Sequence, residues 1–134
     1  MPKILIVDDE PSIRFLVASS LEDEGYDIIE ATDGLQAYDI VQREKPDLIV
    51  LDVMMPGLTG YELCSRLKQN VSTSDILILM LTAKGQERDR LQSRQAGADY
   101  YLRKPFSPLE LIEVVESLIK GRATSMGEGV RDEI

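Results

Sequence analysis

The polar residues with chemistry to offer stand directly behind short apolar runs. Asp8 and Asp9 follow Ile4-Leu5-Ile6-Val7, Asp52 follows Leu48-Ile49-Val50-Leu51, Thr82 closes the run from Ile76 to Leu81, and Lys104 comes just after Tyr100-Tyr101-Leu102. Three carboxylates brought together repel one another and raise their own pKa values unless a cation neutralises them. A hard divalent ion answers that need. Magnesium takes oxygen ligands in an octahedron and keeps several waters, so one or two carboxylates plus a backbone carbonyl leave room for a phosphate oxygen; calcium usually demands more protein ligands. Lys104 supplies a compact positive charge and Thr82 a hydroxyl donor for phosphoryl oxygens. Nucleophile, metal and cationic clamp are the parts that phosphoryl transfer requires. Asp52 is the best nucleophile, because it ends an apolar run and precedes Val53-Met54-Met55-Pro56-Gly57, a loop whose backbone can face the metal. Its acyl phosphate would be labile, which suits a transient signal.

These residues lie roughly 20 to 50 positions apart, so the fold must gather them. The four runs above, with Ile28-Ile29, read as five short strands. Runs without polar alternation suit strands covered on both faces, and alternation with helical patterns points to right-handed βαβ units in a parallel sheet. The run at Ile28-Ile29 is the shortest and belongs nearer an edge. Ile13, Leu16, Val17, Ser20 and Leu21 share one helical face, with Pro11 at its start and Gly25 just past its end. Further helices are expected at Leu35 to Glu44, Tyr61 to Gln69, Gln86 to Gln95 and Pro108 to Lys120. The order is therefore (βα)5, an α/β doubly wound sheet. In such sheets the functional crevice forms outside the carboxyl ends of the strands, where every candidate residue sits. The fourth helix offers only Leu91 against charged and amide side chains, so it is expected to be loosely anchored. The domain is read as residues 1–120, and 121–134, with three glycines and no periodic apolar face, as a flexible tail.

Each candidate also has a duller reading. Asp8-Asp9-Glu10-Pro11 could simply cap the first helix, Thr82 could cap the fourth, and Asp52 could be an ordinary strand-end turn residue. Lys104-Pro105 could merely stop the last strand, and Tyr101 could be a packing residue. The functional reading rests on their conjunction.

Composition removes several function classes. With 134 residues, 43% of them hydrophobic, the chain suits one α/β core. It has no histidine and a single cysteine, Cys64, which excludes Ser-His and Cys-His catalysis, a Cys/His zinc site and an internal disulfide. Cys64 is expected to pack as a small apolar residue. A net charge of −9 argues against nucleic-acid binding by this chain alone. No stretch approaches the ~20 apolar residues of a membrane span, and the start lacks a signal-peptide pattern, so a cytoplasmic protein is expected.

From about Lys3 to Lys120 the residues closely resemble the response-regulator receiver family, the phosphoacceptor half of two-component signalling. The matching segments are Ile4 to Glu10, Pro46 to Gly57, Leu81-Thr82-Ala83-Lys84, and Gly97 to Phe106. The resemblance implies a flavodoxin-like sheet of strand order 2-1-3-4-5. It implies that Asp52 receives phosphate from a histidine kinase or phosphotransfer protein. Asp9, Asp52 and the Met54 carbonyl would bind Mg²⁺ directly, with Asp8 helping through water, while Thr82, the Ala83 amide and Lys104 hold the phosphoryl group. Lys104-Pro105 is expected to be cis. Thr82 and Tyr101 would form the switch: Thr82 moves toward the phosphate and Tyr101 turns into the vacated space. The surface of the fourth helix, fifth strand and last helix is thereby reshaped for a downstream protein partner or phosphorelay, and Arg88, Arg90, Arg94 and Arg103 could make it locally basic. Met54 and Lys84 occupy places that in this family tune phosphate lifetime. In the winged-helix branch a basic residue near Val114 supports an active dimer; here the position is apolar, which puts that mode in doubt.

The leading expectation is a stand-alone receiver, a signalling switch rather than an enzyme, that catalyses its own phosphorylation and dephosphorylation. The runner-up is a receiver cut from a larger transcriptional or second-messenger regulator. A magnesium-dependent aspartyl-phosphate phosphatase is a remote third, because such enzymes usually need an acid/base aspartate two residues after the nucleophile, where Met54 stands. A flavin protein of the same fold would need a Ser/Thr/Gly-rich loop after the first strand, which is acidic here.

Overall fold

The computed structural model describes residues 1–83 and 87–124, with side chains left aside at 87–90 and 122–124. Five strands alternate with five helices: β1 (Lys3–Val7), α1 (Pro11–Glu22), β2 (Asp27–Ala31), α2 (Gly34–Glu44), β3 (Leu48–Asp52), α3 (Gly60–Gln69), β4 (Leu77–Thr82), α4 (Glu87–Ala96), β5 (Tyr100–Arg103) and α5 (Pro108–Thr124). All strand pairs are parallel, in the order β2-β1-β3-β4-β5. The strand order reverses at β1, which places the open crevice beside β1 and β3. β2 is an edge strand, and its exposed Asp27 and Glu30 account for its short apolar run.

The inner strands are apolar on both faces because helices cover both. Leu5, Val7, Ile49, Leu51, Ile78 and Met80 point into one core, shared with Ala37 and Val41 of α2 and Leu63, Cys64 and Leu67 of α3. Ile4, Ile6, Leu48, Val50, Leu79 and Leu81 point into the other, shared with Val17 and Leu21 of α1 and Leu111 and Val115 of α5. This is the period-two alternation of a pleated strand sandwiched between helical layers. Complete burial of such side chains stabilises the fold by about 1.5 to 3 kcal/mol each, before the loss of chain entropy. Cys64 packs in this core as expected; its Sγ donates to the Ala96 carbonyl at 3.4 Å and burial pushes its thiol up to about 12.

Helix ends follow local chemistry. Asp33 caps α2 by accepting from the Gln36 amide, and Thr59 and Glu62 form a reciprocal capping box at the start of α3. After α4 the chain turns through Gly97 at φ +95°, a left-handed position that a side chain would strain, and the Ala98 amide closes on the Ser93 carbonyl at 3.0 Å.

Two expectations change. Leu91 does not anchor α4: it is 53% exposed, while Ser93 is buried and Ala96 packs against the core. The helix turns its small residues inward. α5 runs to Thr124, four residues past Lys120; the rest of the proposed tail, 125–134, lies outside the described residues. Lys84 lies outside them as well, as do the side chains of Arg88 and Arg90, whereas Arg94 and Arg103 are exposed.

Candidate phosphoryl-transfer site

β1 ends in Val7, and the chain turns immediately through Asp8 and Asp9 before Pro11 opens α1. Asp8 is completely buried, and its Oδ1 accepts from the Glu10 amide at 2.9 Å. Its own amide donates to the Ala31 carbonyl at 3.2 Å, and Arg14 Nη1 donates to its carbonyl at 2.9 Å. Arg14 also reaches Glu30 on β2, Nε to Oε1 3.3 Å, so the acidic turn is tied to the sheet edge. The N-cap of α1 is Glu10, whose side chain makes no cap bond, so Asp8 and Asp9 lie ahead of the helix rather than capping it. The capping reading fails for Thr82 too, because it belongs to β4 and its Oγ1 caps nothing among the described residues.

Asp52 is the last residue of β3 and only 5% exposed. Lys104 reaches it from the far side of the sheet. The Lys104 amide donates to the Thr82 carbonyl at 2.7 Å, extending the β4-β5 ladder, and the peptide to Pro105 is cis as expected. From there Lys104 Nζ donates to Asp52 Oδ1 at 3.1 Å and Asp8 Oδ2 at 3.4 Å, with Glu10 Oε1 at 3.7 Å. Carboxylate oxygens of Asp8, Asp9 and Asp52 lie within 4.8 Å of one another. Opposite ligands of an octahedral magnesium stand ~4.2 Å apart, so this oxygen set suits the ion.

The electrostatics are those of an undercompensated anionic pocket. Burial raises Asp52 to about 6, Asp8 adds to the rise, Lys104 opposes it and Asp9 adds again. Burial also raises Asp8, against the Glu10 amide and Lys104. Burial would lower Lys104, but the carboxylates of Asp52 and Asp8 outweigh it and hold the ammonium above its usual range. One lysine does not balance three acids, and a divalent cation would.

The remaining candidates flank this cluster. In the sheet register Asp52 pairs with Leu81, so Thr82 ends β4 one step beyond it. Thr82 is completely buried, and its Oγ1 has no hydrogen-bond partner among the described residues. A buried hydroxyl left so is costly and marks a donor waiting for an acceptor. Ala83 is exposed at the strand end. Met54 exposes 68% of its surface while Met55 is buried, so it is the second methionine that fastens the loop to the core. Tyr101 is 7% exposed and packed in the α2-α3 core, so it already occupies the inward position that the switch reading assigned to the phosphorylated state. Sequence reasoning passed over Arg14. It carries no motif, and only the turn geometry shows that it grips the Asp8 carbonyl.

Comparisons with known proteins bear on the family and the fold. The family model for the response regulator receiver domain matches residues 4–116. The chain is 49% identical over 117 residues to the phosphate regulon transcriptional regulatory protein PhoB of Pseudomonas aeruginosa, covering 87% of this chain and 51% of that regulator. It is 45% identical over 120 residues to the DNA-binding dual master transcriptional regulator RpaA of Synechocystis, covering 90% of this chain and 50% of that protein. It thus spans about half the length of these relatives. The solved structure of the chemotaxis response regulator CheY4 of Vibrio cholerae superposes with a TM-score of 0.83 at 35% identity, covering 87% of this chain and 98% of that one.

Proposed function

This chain belongs to the response regulator receiver domain family of two-component signalling, and on that premise we propose that Asp52 is its phosphoacceptor, charged by the phosphohistidine of a histidine kinase or phosphotransfer protein. The observation that carries the reading is the convergence of Asp8, Asp9 and Asp52 on one oxygen cluster with Lys104 Nζ 3.1 Å from Asp52. In the step, an Asp52 carboxylate oxygen attacks phosphorus, the P–N bond breaks, and the leaving imidazole recovers its proton from solvent. Lys104 holds one phosphoryl oxygen, and the Thr82 hydroxyl and Ala83 amide receive others, which gives the unpartnered Thr82 Oγ1 its acceptor. Asp9, Asp52 and the Met54 carbonyl would hold Mg²⁺, with Asp8 assisting through water. The bound ion would neutralise charge that builds on the phosphoryl oxygens. Hydrolysis is the same displacement with water as nucleophile, so the chain acts as a self-dephosphorylating switch rather than a turnover enzyme.

The phosphoryl group adds charge and acceptor oxygens at the end of β3, drawing Thr82 toward it and fixing Tyr101 inward. The consequence is a shifted equilibrium of the α4-β5-α5 surface, used for a downstream protein partner or a phosphorelay. No helix among the described residues is long and apolar enough to cross a membrane. The relatives are transcriptional regulators, which supports action in the cytoplasm. Their double length favours a second reading, a receiver serving within a larger transcriptional regulator. The length of the native reading frame separates the two.

Incubation with a small-molecule phosphodonor and Mg²⁺, followed by intact mass, tests the assignment. A phosphoryl adduct that disappears in Asp52→Asn supports it. An adduct that persists in that variant, or fast multiple turnover of the donor, would refute it.

A further inference from the structure

The loop that follows the phosphoacceptor is closed by contacts that admit no side chain. Val53 is gripped on both sides: its amide donates to the Leu81 carbonyl at 3.1 Å, and its carbonyl accepts from the Gly60 amide at 3.0 Å. Residues 54–59 therefore form an excursion that leaves Val53 and returns to it. Met54, the first of them, cannot fix its own backbone, since its side chain projects into solvent. The excursion is instead seated by Met55 in the core, by Leu58 against the start of α2, and by the return at Gly60.

Two of these seats are glycines with ordinary backbone angles. A Cβ on Gly60 would lie 2.3 Å from the Asp52 carbonyl oxygen and 2.9 Å from Val53 Cα, both backbone atoms that cannot swing aside. A Cβ on Gly34 would lie 2.8 Å from the Leu58 carbonyl oxygen and 2.9 Å from its Cβ. Neither residue needs the left-handed region, so glycine stands at these places for closeness alone. Gly60 also sits at the first position of α3, locked there by the Thr59-Glu62 capping box, so the helix cannot slide to relieve a contact.

We propose that Gly60 and Gly34 are positioning residues that set where the Met54 carbonyl stands relative to the Asp52 carboxylate, and thereby the affinity for the divalent ion. The inference rests on the assignment of that carbonyl as a metal ligand. A side chain at Gly60 pushes the start of α3 away from β3 and carries the returning end of the loop with it. One at Gly34 lifts Leu58 and tilts the same loop from its middle. Displacing a ligand's support in this way typically weakens metal binding by about 10- to 100-fold.

The test is calorimetric titration of Mg²⁺ alone into the wild-type chain, Gly60→Ala, Gly34→Ala and Gly97→Ala, each also unfolded with urea in EDTA. Gly97→Ala is the structural control: its φ of +95° and its contact with Lys68 at 3.1 Å make it destabilising at a point where it touches neither β3 nor its loop. The expected result is a Mg²⁺ Kd raised about tenfold or more in Gly60→Ala and less in Gly34→Ala, with Gly97→Ala less stable yet wild-type in Kd. Should Gly60→Ala fail to fold, Gly34→Ala decides by the same measure. Folded variants that bind Mg²⁺ as the wild type does overturn the proposal and leave the site assignment intact. A wild-type chain that binds no Mg²⁺ overturns both.

Discussion

Asp52 should destabilise the very fold that presents it. Its carboxyl is raised to about 6 by burial and by Asp8, against an ordinary value of 3.8. The folded chain therefore holds this proton more tightly than the unfolded chain, so this group's contribution to stability is greatest below pH 4 and is lost as pH rises through 6. Integrating the difference, ionisation of Asp52 removes on the order of 3 kcal/mol at pH 7.5, most of it already lost by pH 6. Asp52→Asn keeps the shape and deletes the charge, while Lys104 retains Asp8 at 3.4 Å. In EDTA at pH 7.5 the variant should be about 2 to 3 kcal/mol more stable than the wild type, with the advantage below 1 kcal/mol at pH 4. Urea unfolding at both pH values, with equal slopes confirming comparable unfolded states, measures it. Millimolar Mg²⁺ should then narrow the gap at pH 7.5 by stabilising the wild type more than the variant. A variant less stable than wild type in EDTA, or a difference indifferent to pH, would refute the claim that this carboxylate is held at electrostatic cost.

Further outcomes follow from neighbouring contacts. Lys104→Met leaves Asp8 and Asp52 without their shared ammonium, so stability in EDTA at pH 7.5 should fall by about 2 kcal/mol and labelling by a small-molecule phosphodonor by about 100-fold or more, read by urea melts and intact mass. Thr82→Ala removes a hydroxyl that bonds nothing among the described residues, so stability should change by less than about 1 kcal/mol while the lifetime of the Asp52 phosphate, followed by mass, shifts severalfold. Tyr101→Ala empties a packed position of the α2-α3 core and should cost about 3 kcal/mol in urea melts, whereas Tyr101→Phe should cost far less.

The inner strands β1, β3 and β4 were legible because each is a run of apolar residues suited to a sheet covered on both faces. Ile4 to Val7 and Leu48 to Leu51 are buried throughout. Strand ends then follow from where the apolar runs stop, which is why Asp8, Asp52, Thr82 and Lys104 could be placed on one rim. What the sequence could not show was direction within a helix. Leu91 is the lone large apolar residue of α4, yet it is exposed and the helix buries Ser93 and packs Ala96 against the core. In α1, by contrast, the face read from the sequence holds: Phe15, left off it, is exposed, while Val17 and Leu21 are buried. Nor could sequence reveal the backbone contacts. Arg14 reaching the Asp8 carbonyl and Gly60 lying against the Asp52 carbonyl are facts of turn geometry, with no pattern of residue types to announce them.

Lys104 spanning Asp52 and Asp8 has a consequence for how readily the ion comes and goes. The pocket carries a tethered counterion, so a divalent ion would not enter a bare nest of charge but would share Asp52 and Asp8 with an ammonium already in contact with them. Three acids would then grip their guest more weakly than their number suggests, and the ammonium, anchored beside the same oxygens, would be at hand for the next anion to arrive.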